Sequence, residues 1–429
     1  MVENLRCTLK RSVIASGAAF SAVCDGKFKR NRISVNLVLP LEEQTVSENA
    51  VVPFVLKRGK NFKELNLKLS EMYGADLYAE AGSFGKYQTL SLSLTGISDR
   101  FALGGEKLSE MSAQLLAELL FEPNIACGSF GEKDVEIEKN NLIKAIEAEI
   151  NEKRSYALGR CKSLIFAGEP YGIKKYGTVE LAEKITAKSA AEAYARIIKN
   201  AAIEIMFVGD GDAEGVKRVF EEKLRLVERR PIEMGYESRT APEREALELT
   251  EEMEINQGKL VMAWRTNDSD SKEKRVAIQM MNAVFGMTPF SKLFVNVREK
   301  QSLCYYCAAR FDKKTNVLMV DSGIEFENVE KAKAGIIAQL EDMKKGNFSE
   351  EDIEHAKLYM KNAYRSVGDS LGGLEAWYLS QILCGESSSP EEETAFIDGV
   401  TKEEMVKAAE SFTLDAVYFL KGKDVTGDE

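Results

Sequence analysis

FGEKDVEIEKNNL, residues 130–142, and FSEEDIEHAKLYM, residues 348–360, are two copies of one segment. Each opens on Phe, passes through an acidic cluster and reaches Asp-[Val/Ile]-Glu. Both read as starts of amphipathic helices, because carboxylates are favoured at the positive N-terminal end of a helix. A repeat spaced by about half the chain marks a duplicated architecture.

Working outward, the flanking segments agree as well. ADLYAEAGSFGKYQTLSLSLTGI in the first half alternates apolar and polar residues around a turn at Ser83–Lys86. SLCYYCAARFDKKTNVLMVDSGI in the second half does so around Asp312–Asn316. Both have the period of β-hairpins. A helical stretch follows each: LSEMSAQLLAELLF in the first half, NVEKAKAGIIAQLEDMKK in the second. With opening strands at Arg32–Leu39 and Lys259–Trp264 and closing strands at Ala202–Val208 and Ala416–Lys421, each half runs strand, helix, hairpin, helices, strand. That order predicts a sheet covered on one face by helices, built twice. The join falls in ERRPIEMGYESRTAPEREALE, which is polar and lacks clear periodicity. The expected division is a first domain 1–228, a linker 229–250 and a second domain 251–429.

Composition excludes several function classes. The 429 residues carry a net charge of -11, and an acidic surface repels nucleic-acid phosphate and anionic lipid. The charge run Glu243–Glu254 reads as a solvated linker or helix face. Seven scattered cysteines, an odd number, do not form a disulfide framework. The N-terminus lacks an apolar signal core and no run of about 18 apolar residues occurs, so a cytoplasmic protein with no membrane span is expected. The single histidine is the sharpest constraint. A helical zinc motif needs two imidazoles on one face, and one chain here cannot supply them. His355 itself lies in SEEDIEHAKLYMK, a helix capped by Ser349, and reads as an ordinary surface or partly buried helix residue.

Other motifs carry little chemistry. VGDGDAEG at 208–215 has the wrong glycine spacing for a dinucleotide loop and reads as a strand-to-helix turn. Cys304 and Cys307 have dithiol spacing, but positions three apart on a regular strand point to opposite faces, which makes a poor dithiol or chelate. Acidic pairs such as Glu147/Glu149 and Glu350/Glu351 have no spacing that separates catalysis from helix surface. FGMTPFSKLFVNVREKQSLCYY, at 285–306, is richer. A turn at Gly286–Pro289 leads to a short helix with Leu293, Phe294 and Val297 on one side, ending in Arg-Glu-Lys before a strand. Arg298 offers a planar donor fork suited to a carbonyl or carboxylate, and Tyr305 a phenol on the strand; a salt-bridged helix end accounts for the same spacing.

In this segment the chain resembles the M16 metallopeptidases, whose second homologous domain carries Ser-[Lys/Arg]-Leu-Phe…Arg-Glu-Lys-x-Gly-Leu-x-Tyr. Here the motif is Ser291-Lys292-Leu293-Phe294, then Arg298-Glu299-Lys300-Gln301-Ser302-Leu303-Cys304-Tyr305, with Ser302 in place of Gly and Cys304 in place of a usual Ala. The resemblance covers nearly the whole chain. It implies an α+β fold of two homologous domains, each a mostly antiparallel sheet with helices on one face, as in LuxS and the mitochondrial processing peptidases. It also implies that Arg298 and Tyr305 contact substrate near the scissile bond. The family's His-x-x-Glu-His would fall on Ala50, Pro53 and Phe54, none of which ligates zinc or takes a proton. The downstream ligand Glu would fall near Ala145–Glu149. The resemblance therefore implies a member inactive alone, with no metal or cofactor of its own. It is similar to the zinc-less subunit of bacterial M16 pairs that family naming associates with elongation factor P modification. Its implied partners are a zinc-bearing homologue in a heterodimer and an extended peptide. A stand-alone peptide-binding or assembly protein is the competing expectation.

Overall fold

Why two sheets form follows from where the alternating segments pair. A computed structural model describes residues 8–235 and 239–423. Cys7 and residues 236–238 of the expected linker lie outside them. The chain divides into two units. The first comprises Met1–Glu147, Ile173–Tyr236 and Val367–Ser389. The second comprises Ala148–Gly172, Glu237–Ser366 and Pro390–Glu429.

The first unit holds strands β1 (Lys10–Ala15), β2 (Ala18–Cys24), β3 (Arg30–Pro40), β4 (Asp76–Phe84), β5 (Tyr87–Ile97) and β6 (Ala202–Gly209), ordered β1-β2-β6-β3-β5-β4. The hairpin β4–β5 is the one the alternation predicts, and β3 and β6 are the expected opening and closing strands. Only β2 with β6 is parallel; the other pairs are antiparallel. Ile33, Val35, Leu37 and Leu39 alternate along β3 into one core with α1 (Val46–Leu56), α2 (Leu108–Phe121), α3 (Glu132–Ala148) and α5 (Ala187–Asn200), α4 being the helix Lys153–Ile165 of the second unit. The 208–215 segment is the expected strand-to-helix turn. Gly209 has φ +124° and a Cβ there would sit 2.6 Å from the Arg30 carbonyl oxygen, so no larger residue fits, and Asp212 caps the helix Ala213–Leu224.

The second unit holds β7 (Leu247–Met253), β8 (Gly258–Arg265), β9 (Cys304–Asp312), β10 (Val317–Ile324) and β11 (Thr413–Gly422), ordered β9-β10-β8-β11-β7. Read from the other end, β7-β11-β8-β10-β9 repeats β2-β6-β3-β5-β4, with the parallel pair at the same place. Helices α6 (Lys272–Asn282), α7 (Val329–Lys344) and α8 (Glu350–Val367) cover one face. The quoted repeat is α3 and α8, and its apolar positions bury in register: Phe130 with Phe348, Val135 with Ile353, Leu142 with Met360. His355 is half-exposed on α8, its ring 5.5 Å from that of Phe290, and Ser349 caps the helix through Asp352.

The charge run Glu243–Glu254 differs from the linker or helix face expected of it. Its second half is the edge strand β7, not a linker or helix face, because Leu247, Leu249, Glu251 and Met253 alternate with exposed residues. Glu251 faces the sheet, where Arg160 Nε (2.9 Å) and Tyr418 Oη (2.7 Å) donate to it. Strands β1 and β2 were also unforeseen, since β2 is buried almost throughout and shows no alternation.

One helix also covers the opposite face of each sheet. On the second-unit sheet, α4 packs Ala157, Cys161 and Ile165 against Val261, Ala263, Ala416 and Tyr418. On the first-unit sheet, α9 (Leu371–Leu383) packs Leu374 and Tyr378 against Val23, Met206 and Val208. Each follows one copy of the repeat and joins the unit built mainly from the other half of the chain.

Candidate functional site

The segment carrying Arg298 and Tyr305 is shaped by two wide helical turns. Helix α6 runs into a π-helix at Ala283–Met287, and a second π-helix spans Leu293–Lys300. Such turns are rare and concentrate at functional sites. The turn expected at Gly286–Pro289 begins only after Met287, because the fully buried Ala283 and Phe285 carry the helix further. At Gly286 a Cβ would lie 2.6 Å from both Ala309 Cβ and Leu293 Cδ1, so the approach of this turn to β9 requires glycine.

The Ser-Lys-Leu-Phe stretch acts as scaffolding. Ser291 and Leu293 are buried, and Lys292 Nζ donates to the Asn347 carbonyl (2.7 Å) beyond the end of α7. The Phe294 ring lies 4.5 Å from the guanidinium of Arg298. Arg298 Nε donates to the backbone carbonyl of Tyr305 (2.9 Å), and Nη1 lies 3.4 Å from Glu299. The salt-bridged helix end is therefore present as well, but an exposed pair of that kind contributes only about 0–1 kcal/mol. The bond to Tyr305 is what ties the helix end to the edge strand.

Tyr305 sits at a bulge. Cys304 pairs with Ile324 and Tyr306 with Gly323, so β9 has one extra residue against β10. A bulge re-aims side chains, and Tyr305 is 58% exposed at the outer edge of the sheet. Its hydroxyl donates to Glu325, and the hydrogen bond together with the negative charge of Glu325 holds the phenol above its ordinary pKa. Ser302 has φ +50°, the left-handed region, which explains why glycine is the family's residue there. Glu325 was missed by sequence reasoning. Its signal is its place immediately after the strand that pairs with the Tyr305 hairpin arm.

The bulge also overturns the expectation for the cysteines. With one residue added between them, Cys304 and Cys307 leave β9 on the same face and pack against the same core. Regular alternation does not apply across a bulge.

The other half of the family site has no ligand chemistry. Ala50 is fully buried in α1, Pro53 is buried within the same helix, and Phe54 packs against the core. Arg58, just beyond that helix, is held by Asp134 (2.7 Å) and Glu138 (2.9 Å) of α3. Glu147 is exposed at the end of α3 and Glu149 lies in the short turn that follows. Three apolar side chains offer no lone pair to a metal, so these residues do not fit zinc. Among the described residues, no group of three or more His, Cys, Asp or Glu could hold a metal ion.

The duplicated sheets, the Arg–Tyr segment and the apolar replacement of a metal motif together define a peptidase-like architecture. The family model described as "Peptidase M16 inactive domain" matches residues 184–360. The "Probable inactive metalloprotease YmfF" of Bacillus subtilis (strain 168) is 32% identical over 402 residues, covering 93% of this chain and 94% of that protein. The crystal structure of a conserved protein from Enterococcus faecalis V583 superposes with a TM-score of 0.89 at 27% identity, covering 98% of this chain and all of that one. A structure of a peptidase M16 inactive domain from Pseudomonas fluorescens shares the fold, with a TM-score of 0.77 at 16% identity over 98% of this chain and all of that one. This chain belongs to the M16 peptidase family, as a homologue of the inactive type.

Proposed function

We propose that the chain is the zinc-less half of a two-subunit cytoplasmic peptidase. It binds an extended peptide along the exposed edge of β9 and orients it, while a zinc-bearing M16 homologue supplies the metal and the attacking water. The observation that carries this reading is that Arg298 and Tyr305 are fastened to each other at a bulged sheet edge, although the metal positions are apolar. A sheet edge offers unpaired backbone groups that an extended peptide can match; the guanidinium stands beside it as a donor to a carbonyl oxygen, and the phenol becomes a second donor when a substrate carbonyl takes the place of Glu325 as its acceptor. The likeness to a protein named as an inactive metalloprotease supports the same reading.

The test combines the purified chain with the zinc-bearing M16 homologue encoded in the same genome and follows cleavage of a fluorogenic peptide. Turnover should require both chains. Arg298→Ala or Tyr305→Phe should each lower it about 100-fold or more, since losing one transition-state donor costs roughly 2.7–4 kcal/mol. Wild-type turnover in both folded variants would sink the proposal. Peptide binding without any turnover would instead establish a stand-alone binding protein.

A further inference from the structure

Cys304 and Cys307 flank the bulge, one on each side of Tyr305 and Tyr306. Both face the core that includes Leu260, Val320 and Ile324. The bulge sets their thiols side by side on that face, within reach of each other, and Ser322, opposite Cys307 on β10, donates its hydroxyl to the Tyr306 carbonyl (2.9 Å), so that toward the thiols it can only accept. Their accessibility differs: Cys307 is 5% exposed, whereas Cys304 is only partly covered on the outermost strand. The neighbouring Cys307 thiol, as a donor, and the charge of Arg298 hold the Cys304 thiol below its ordinary range, against the opposing effect of burial. The hydrogen bond to Cys304 and burial push Cys307 up. An accessible thiol disposed to ionise, in contact with a buried second thiol, is the arrangement of an attacking and a resolving cysteine.

We propose that Cys304 and Cys307 form a reversible dithiol–disulfide switch, oxidised by a low-molecular-weight disulfide such as oxidised glutathione. The Cys304 thiolate attacks one sulfur of the glutathione disulfide, forming a mixed disulfide and releasing one glutathione thiolate. Cys307 loses its proton and attacks the Cys304 sulfur, closing the internal bond and releasing the second glutathione. Two protein thiols are oxidised, one disulfide is reduced, and the two thiol protons end on the two glutathione thiols. Closing the bond draws the ends of the bulge together, which a sheet edge paired on one side only accommodates best.

The experiment treats the full chain with oxidised glutathione, blocks remaining thiols with N-ethylmaleimide and digests with trypsin. Cleavage after Lys300 and Arg310 isolates QSLCYYCAAR, residues 301–310, which contains these two cysteines alone. The expected product is that peptide lighter by two hydrogens, free of glutathione and restored by dithiothreitol. The exposed Cys24 and Cys127 should carry glutathione adducts. Cys307→Ser should trap glutathione on Cys304, and Cys304→Ser should leave Cys307 unmodified. The proposal is overturned if wild-type Cys304 accumulates a glutathione adduct without bridging. It is equally overturned if both thiols stay reduced where Cys24 and Cys127 react. Both readings use unsubstituted protein, so a misfolded variant does not blur them.

Discussion

Replacing Arg154 by alanine should destabilise the second unit by about 3 kcal/mol. Arg154 stands on α4 and its Nε donates to Asp321 on β10, whose side chain is only 3% exposed. The guanidinium also lies 4.3 Å from the Tyr306 ring centre. Removing one partner of a buried pair costs roughly 3–5 kcal/mol, because the other charge stays buried without compensation. Arg154 is itself 39% exposed, so water reaching the vacated space lowers that to about 2–3 kcal/mol. Loss of the cation–π contact adds about 0.5–1 kcal/mol. In Asp321→Asn the charge is gone, and Arg154→Ala on that background should cost no more than about 1 kcal/mol. The coupling energy is then about 2 kcal/mol. Urea denaturation resolves it. Of the two tryptophans, Trp264 is buried in the second unit and Trp377 lies in the first, so a Trp377→Phe background isolates the relevant transition. An Arg154→Ala cost that is the same with and without the Asp321 charge would refute the reasoning.

Two further outcomes are expected. Ser302→Gly should be more stable than Ser302→Ala by about 1 kcal/mol in urea, since a left-handed residue costs about 1–2 kcal/mol that glycine avoids, less the extra unfolded-state entropy of glycine; an Ala variant equal to the Gly variant would contradict this. Glu325→Gln should let Tyr305 ionise at lower pH, read as the ultraviolet difference between each protein and its Tyr305→Phe counterpart. The raised phenol means that the contact persists below the ordinary tyrosine range and is lost as pH rises through the shifted value. An unchanged titration would mean that Glu325 does not hold the phenol.

The duplication was legible because helix period and strand period survive in one sequence: Val135 and Leu142 against Ile353 and Met360, the two hairpins, and the opening and closing strands. What escaped follows from departures from regular period. Strand β2 is buried on both faces and so carries no alternation to read. Strand β7 hides its alternation behind charges, because Glu251 turns inward to meet Arg160 and Tyr418. The cysteine pair depends on a bulge, which is a property of two strands together and appears in neither alone. Arg298 and Tyr305 were nameable from the motif, but the bond joining them arises from the wide helical turn, which the spacing does not reveal.

The reciprocal placement of α4 and α9 has a consequence for biosynthesis. When a ribosome has finished the last strand of the first sheet, ending at Gly209, the residues that cover Val23, Met206 and Val208 have not yet been made. That apolar surface stays bare until Leu374 and Tyr378 emerge, late in translation. The nascent first half therefore passes through a long interval with an incomplete core, during which a chaperone has something to hold. For the same reason, a gene cut between its two halves would yield two fragments that each lack the helix sealing the back of their sheet.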